Sequence, residues 1–388
     1  MQKNEIIKTY GKDYKKMTRL LLEKAQLKSL IPEGAKIGIK PNLVSPTPAQ
    51  FGATTHPEIA AGIIEYLQEN DFNNIIMIEG SWVGDKTSDA YEYCGYRELS
   101  EKYGVPFVDT QKDTYSCVSC CGMDINISDA ARNLDYLINV PVLKGHAQTK
   151  ITCALKNIKG LIPNTEKRLF HKLGLHRPIA HLQIGMPQNF IVVDHICGDL
   201  ELEDGGNPVQ TDCIMAAIDP VLVDSYVCSL LGYEADEVPY IKMAEELGIG
   251  STDLANAVIT VIADEDGEVL ETFAGDAPDR FEKKRTASER IVELAQNVHE
   301  VDSCSSCYAA LVPALRKLKE EGMLDRVMEK IPGKIAIGQG HQEKSGGLGV
   351  GRCCSNFSMN IPGCPPKEDD IYDYLKKLAT GDTDGKTE

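Results

Sequence analysis

Five cysteines between Cys304 and Cys364 have the residue type and the spacing of a metal site. Cys304 and Cys307 bracket two serines, Cys353 and Cys354 are adjacent, and Cys364 precedes Pro365 and Pro366. Thiolates are soft ligands that suit iron and zinc. A Cys-x-x-Cys pair followed by single cysteines, the last standing before proline, matches four-thiolate ligation of an iron–sulfur cluster. We therefore expect Cys304, Cys307, Cys353 and Cys364 to hold a cluster of the 4Fe–4S type. Adjacent cysteines rarely both bind one iron, and Cys353 is the nearer of its pair to a run of glycines. Structural zinc is the competing occupant. Zinc sites more often present two paired clamps, whereas the third and fourth cysteines here are isolated.

The glycines at 338, 340, 346, 347, 349 and 351 let backbone approach a ligand closely and take positive φ. A cluster needs N–H groups near its sulfides, which such a loop supplies. The stretch lacks the Lys-Ser/Thr pair of a P-loop and the spacing of a dinucleotide fingerprint. Apolar residues Leu311, Leu315 and Leu318 fall on one helix face, so Cys304 and Cys307 sit at or just before a helix start. The positive potential there favours thiolate over thiol. Cys364 also precedes a helix, with Ile371, Tyr374 and Leu375 as its buried face.

A second group of residues points to anion binding. From Pro141 to Ala180 the chain carries eight Lys/Arg against the single acid Glu166, in a protein of net charge −17. A cationic cluster at strand ends gathers carboxylates or phosphates. Lys144, His146 and Lys156 are the candidate catalytic residues, with His146 a proton donor. Lys40, Asn42, Lys150, Thr152, Asn157 and Lys159 are the candidate anion-binding residues. The plainer alternative is a solvated basic face. Against it, the segment from Thr152 to Gly160 mixes its lysines with small residues, as a stretch packed close to something would.

These residues need elements to position them. Ile6 to Leu30 reads as a helix, residues 35–39 as a buried strand, and His56-Pro57-Glu58 as a helix start. Further strands are expected at residues 74–79, 135–140, 190–195 and 214–218, and Asp219-Pro220 opens another helix. Strand–loop–helix–strand alternation implies a parallel sheet, with ligands beyond the carboxyl ends of its strands. Lys40, Asn42, Glu79, Gly80 and Ser81 all stand at such ends, and Asp194 is placed to orient a lysine or histidine of the basic segment. The expected fold class is α/β: a mixed, largely parallel sheet with flanking helices, plus a small C-terminal α/β cap carrying the cysteine cluster. The boundary falls between residues 1–290 and 291–388. Residues 264–279 look peripheral, and 281–295 a helical connector.

With 388 residues the chain can bury a sizeable core. Its acidity argues against nucleic acid as a partner. No apolar run reaches the roughly 20 residues of a membrane span, and the N-terminus lacks a signal-peptide core, so a cytoplasmic location is expected. Thirteen cysteines in a reducing compartment imply metal or catalysis rather than disulfides. Cys94, Cys153, Cys197, Cys213 and Cys228 read as small buried side chains. Cys117 and Cys120 have clamp spacing but point to opposite faces of a strand unless the chain turns at 119–122. A structural role is therefore weighed there against a second cluster or redox pair.

The segments Ile39-Lys40-Pro41-Asn42, Pro141 to His146, Leu155-Lys156-Asn157-Ile158-Lys159-Gly160, and Ala217 to Asp224 together resemble the domain-of-unknown-function 362 family, over roughly residues 35–235. The tail motifs resemble the C-terminal segment of its clostridial-type members. The resemblance implies an iron–sulfur protein with at most one cluster in the tail, since the ferredoxin-like run of many relatives is missing. The expected function is an iron–sulfur oxidoreductase or electron-transfer protein working on a small anionic substrate or with a redox partner protein. The alternatives are a redox-neutral lyase or isomerase using the cluster as a Lewis acid, and a non-enzymatic protein stapled by zinc.

Overall fold

Short apolar runs, many rich in β-branched residues, are buried on both faces and make the centre of a nine-stranded sheet. The computed structural model describes residues 1–203, 205–282, 293–301, 303 and 305–381. Cys304 and most of the expected connector at 281–295 lie outside them. The chain divides into two compact units, Met1–Phe170 with Leu175–Ala287, and His171–Gly174 with Ser288–Glu388.

The strands of the large sheet are β1 (Glu5–Tyr10), β2 (Ile37–Pro41), β3 (Ile75–Glu79), β4 (Phe107–Asp109), β7 (Tyr136–Val140), β10 (Phe190–His195), β11 (Cys213–Ala217), β12 (Val258–Ile262) and β13 (Val269–Ala274). Their order is β13-β12-β1-β11-β10-β7-β2-β3-β4. From β10 to β4 every pairing is parallel, while β11 and β13 run against their neighbours. The fold is thus the expected mixed, largely parallel α/β sheet.

Alternation along the strands feeds two cores. Ile191 and Val193 face one with Leu155, Ile158, Ile179 and Val223. Phe190 and Val192 face the other with Met17, Leu21, Ile59 and Ile63. Each fully buried side chain of this kind contributes roughly 1.5–3 kcal/mol of transfer free energy. Helices Tyr14–Lys24 and Pro57–Glu69 supply the second core, and His176–Gly185 and Pro220–Leu230 the first.

From β2 the sheet grows through β3 to β4 on one side, and through β7 to β10 on the other. The chain therefore changes direction between β2 and β7, which opens a crevice at their carboxyl ends.

One sequence expectation fails here. Residues 6–10 are strand, not helix: β1 lies between β11 and β12, and the helix starts only at Tyr14, capped by Asp13. Lys8, within this strand, is buried and ion-paired to Asp279 at 2.7 Å and Glu282 at 2.9 Å. The acidic stretch 264–279 is peripheral, as it holds the largely exposed edge strand β13, and only Asp279 at its end reaches in to Lys8. The chain does turn at 119–122, joining β5 (Tyr115–Ser119) to β6 (Asp124–Ser128) as an antiparallel hairpin, and β8 (Lys144–His146) pairs with β9 (Lys150–Thr152) in another.

In the second unit four strands, β14 (Val298–Glu300), β15 (Ile335–Ile337), β16 (Leu348–Val350) and β17 (Met359–Ile361), pair in parallel in sequence order. Helices Ser305–Glu320, Leu324–Lys330 and Glu368–Thr380 accompany them, with Leu311, Leu315, Val327, Ile371 and Leu375 buried. No helix among the described residues is long and apolar enough to cross a membrane.

Candidate functional site

The crevice between β2 and β7 is bridged by side-chain amides. Asn42 donates to Asn157 at 2.9 Å, and Asn157 donates to Asn139 of β7 at 2.7 Å. Asn139 donates on to the Ala154 carbonyl at 3.0 Å. Asn157 belongs to the short helix Ala154–Asn157, whose first N–H groups are capped from a distance by Asp224, at 2.7 Å from Ala154 N. Burial raises the Asp224 carboxyl to about 7 against the opposing pull of those backbone donors. The Lys-Asn-Ile-Lys-Gly segment is thereby seated on the sheet's carboxyl edge.

Gly160 shows how close that seat is. A Cβ there would lie 1.7 Å from Glu79 Oε1 and 2.7 Å from Lys40 Nζ, so only glycine fits. Lys40 and Glu79 form a fully buried ion pair at 2.6 Å. Lys167 donates to the Gly80 and Ser81 carbonyls at 2.9 and 2.8 Å, and Thr110 to the Gly160 carbonyl at 2.7 Å.

The charge at this edge is predominantly positive. Burial, together with the neighbouring Lys156 and Lys167 ammonium groups, pushes the Lys159 pKa well below the usual lysine value. Burial also lowers Lys167 to about 8, partly offset by Glu79. Lys159 is hemmed in by protein yet keeps partial exposure. Cations that depress one another in a concave site are an arrangement an anion relieves.

The remaining sequence-predicted residues are distributed around this cluster. Lys156 reaches Thr152 Oγ1 at 3.1 Å. Lys144 is buried and donates to the Ala53 and Glu203 carbonyls at 2.6 and 2.8 Å, tying two loops together. His146 Nδ1 accepts the Gln148 and Thr149 N–H groups, both at 3.0 Å, so its proton sits on Nε2, which faces Glu203 at 3.3 Å. Lys150 points away from the group, to Glu237 at 2.7 Å and over the Tyr233 ring. Asp194 orients a histidine, but not one of the basic segment: its partner is His56, 2.8 Å from its carboxylate.

In the second unit the cysteine loops share one edge. The chain leaves β14 toward Cys307, β15 into Gly338, β16 into Gly351 and Cys353, and β17 into Gly363 and Cys364. All four strands are parallel, so all four loops emerge at their carboxyl ends. Gly351 N donates to Ile361 O at 2.8 Å and Arg352 N to Gly363 O at 2.7 Å, which joins two of these loops. A Cβ on Gly351, at φ +90°, would stand 3.1 Å from Cys307 Sγ. Cys354 is buried, with its thiol on the Ala336 carbonyl at 3.4 Å, whereas Cys353 is partly exposed and Cys364 exposed. The donors fit a thiolate-bound metal in kind and in their common edge. Among the described residues no three His, Cys, Asp or Glu side chains are grouped around one point, and Cys304 lies outside them. Cys117 and Cys121 are exposed, whereas Cys120, in the turn after β5, is buried.

Residues 37–229 match the family model described as a domain of unknown function, DUF362. That segment is thus a DUF362 domain. The DUF362 segment opens at β2 and closes near the end of helix Pro220–Leu230, so it contains the crevice, the amide ladder and the lysine cluster. Over 241 residues the chain is 25% identical to a thylakoid-associated protein of Synechocystis, covering 58% of this chain and 71% of that one. Among solved structures, the lactate racemase apoprotein of Thermoanaerobacterium thermosaccharolyticum matches at 14% identity and a TM-score of 0.38, over 63% of this chain and 57% of the other. A Thermotoga maritima protein matches at 11% identity and a TM-score of 0.33, over 61% and 59%. The chain thus spans less than two thirds of either solved structure.

Lys167, Asn139 and His56 were not singled out as site residues from sequence. Asn139 sits inside an apolar strand, which was its signal: a lone amide there needs partners. Lys167 had no signal beyond the basic run.

Proposed function

We propose that this DUF362 protein is an iron–sulfur oxidoreductase or electron-transfer protein, with an anion-binding crevice in its α/β unit and a thiolate-held cluster in its C-terminal unit. The observation that carries the cluster is the shared edge: four parallel strands deliver Cys307, Cys353 and Cys364, with Gly338, Gly351 and Gly363, to the same end of one small sheet. Cys304, three residues before Cys307, completes the set. A fully thiolate-ligated cluster supplies one-electron transfer. The chain's own residues set its surroundings. Gly351 brings backbone against the Cys307 thiol, and Cys354, turned into the sheet, packs rather than ligates. In the α/β unit Lys156, Lys159 and Lys167 bind the anionic group, while Asn157 and Gly160 fix the segment that carries them.

The ligand assignment is tested by iron content after anaerobic purification. Cys353→Ser should lose most of the iron and Cys354→Ser should retain it. Iron unchanged in Cys353→Ser sinks the assignment.

A further inference from the structure

At the carboxyl end of β10, Asp194 and the nearby Cys197 meet His56, more than 130 positions away in sequence. Asp194 accepts from His56 Nδ1 at 2.8 Å and from the His56 backbone N–H at 2.8 Å, which fixes the ring's tautomer and direction. The other ring nitrogen, Nε2, faces Cys197 Sγ at 3.6 Å. Cys197 is 3% exposed and the His56 side chain 12%. The loop bearing the thiol is held rigidly. Asp199 accepts from Glu201 N, Leu202 N and Asn207 N, and a Cβ on Gly198 would lie 1.9 Å from Leu143 O. His56 stands directly before helix Pro57–Glu69, in the connection from β2 to β3, on the same sheet edge as the switch-point crevice.

We propose that Cys197, His56 and Asp194 form a nucleophilic thiolate centre that reduces a small hydroperoxide. A base or charge partner beside a cysteine, itself oriented by a carboxylate, is what activates a thiol. Burial opposes a charged imidazole, yet the Asp194 carboxylate overcomes it and raises His56 to about 10, so the ring is an imidazolium at neutral pH. Its Nε2–H then faces the sulfur as a cation. The remaining neighbours are the Ala49 carbonyl at 3.5 Å from Sγ, which competes as an acceptor for the thiol proton, and Tyr14. The Tyr14 ring meets His56 edge-on at 5.6 Å and its hydroxyl is bound to Asp212, which pairs with Lys12. With Cys197 only 3% exposed, we assign it a small electrophile rather than a bulky one.

In the reaction the thiolate sulfur attacks one peroxide oxygen. The S–O bond forms as the O–O bond breaks, sulfur is oxidised by two electrons, and the peroxide is reduced. The leaving oxygen takes the His56 Nε2 proton and departs as water or an alcohol. The product is Cys197 sulfenic acid with neutral His56.

The test is site-resolved. The full-length protein is treated with hydrogen peroxide at about pH 7, sulfenic acid is trapped, and each cysteine peptide is followed by mass spectrometry. Cys197 should be trapped at least about tenfold faster than in His56→Gln. Where His56→Gln does not fold, the wild type decides: a Cys197 trapped no faster than Cys94, a thiol of similar burial that lies on the Ser45 and Thr47 carbonyls, overturns the proposal. So does a Cys197 that stays unmodified in the folded protein, or one modified equally fast in both proteins.

Discussion

A charge on Lys159 comes at a cost. Burial and two neighbouring ammonium groups, Lys156 and Lys167, all favour its neutral form. A bound dianion reverses the balance, because it attracts all three. Binding should therefore take up protons. Sulfate affinity, measured calorimetrically, should be greater near pH 6 than near pH 9, where Lys167 has passed its pKa of about 8. Lys159→Met should weaken sulfate binding at least about tenfold, or about 1.4 kcal/mol. Affinity that rises with pH would contradict the anion site. The His56–Asp194 pair makes a second prediction of definite sign. Its folded pKa of about 10 lies above the ordinary histidine value, so its stabilisation is complete below about pH 6.5 and is lost as pH rises through about 10. Urea unfolding of wild type and His56→Gln should differ by about 3 kcal/mol at low pH, with the gap closing toward pH 10. A gap that widens with pH would show that the pair is not ionised as described.

Among the elements, the strands were legible because each is a short apolar run buried on both faces, as at residues 75–79 and 190–195. Asp219 announced its helix through the Asp-Pro pair, and its carboxylate indeed accepts from Val221 N at 2.8 Å. β1 was not legible. Its lysine and threonine mimic a helical polar face, and what buries Lys8 is an ion pair to residues more than 270 positions away. The His56–Asp194–Cys197 arrangement was hidden for the same reason: 138 residues separate His56 from Asp194, and no local pattern links them. The Lys-Asn-Ile-Lys-Gly segment was legible as something tightly packed, but what it packs on, the Lys40–Glu79 pair, appears only in three dimensions. Gly160→Ala should cost roughly 1–3 kcal/mol in thermal or urea unfolding, because neither Glu79 nor Lys40 can retreat without breaking their bond. Gly34→Ala, where φ is +73° and a Cβ meets nothing within 4 Å, should cost only about 1 kcal/mol. Equal losses would mean that Gly160 is conserving backbone freedom rather than space.

At the scale of the molecule, one chain carries two kinds of candidate site on one structural principle. Each unit is built on parallel strands, and each gathers its polar or sulfur-bearing loops at the strands' carboxyl ends. In the larger unit those loops bring lysines, amides and a cysteine–histidine–aspartate group. In the smaller they bring cysteines and glycines. The acidic overall charge of −17 leaves the lysine cluster as a local exception in the sequence. The cluster in the smaller unit is the claim on which the redox reading depends. It is tested most directly by purifying the full chain without oxygen, quantifying iron, acid-labile sulfide and zinc, and recording electronic and electron-spin spectra before and after reduction. About four irons and four sulfides per chain, with a visible band that bleaches and a paramagnetic signal that appears on reduction, is the predicted result. A colourless protein holding zinc, or no metal, would contradict it.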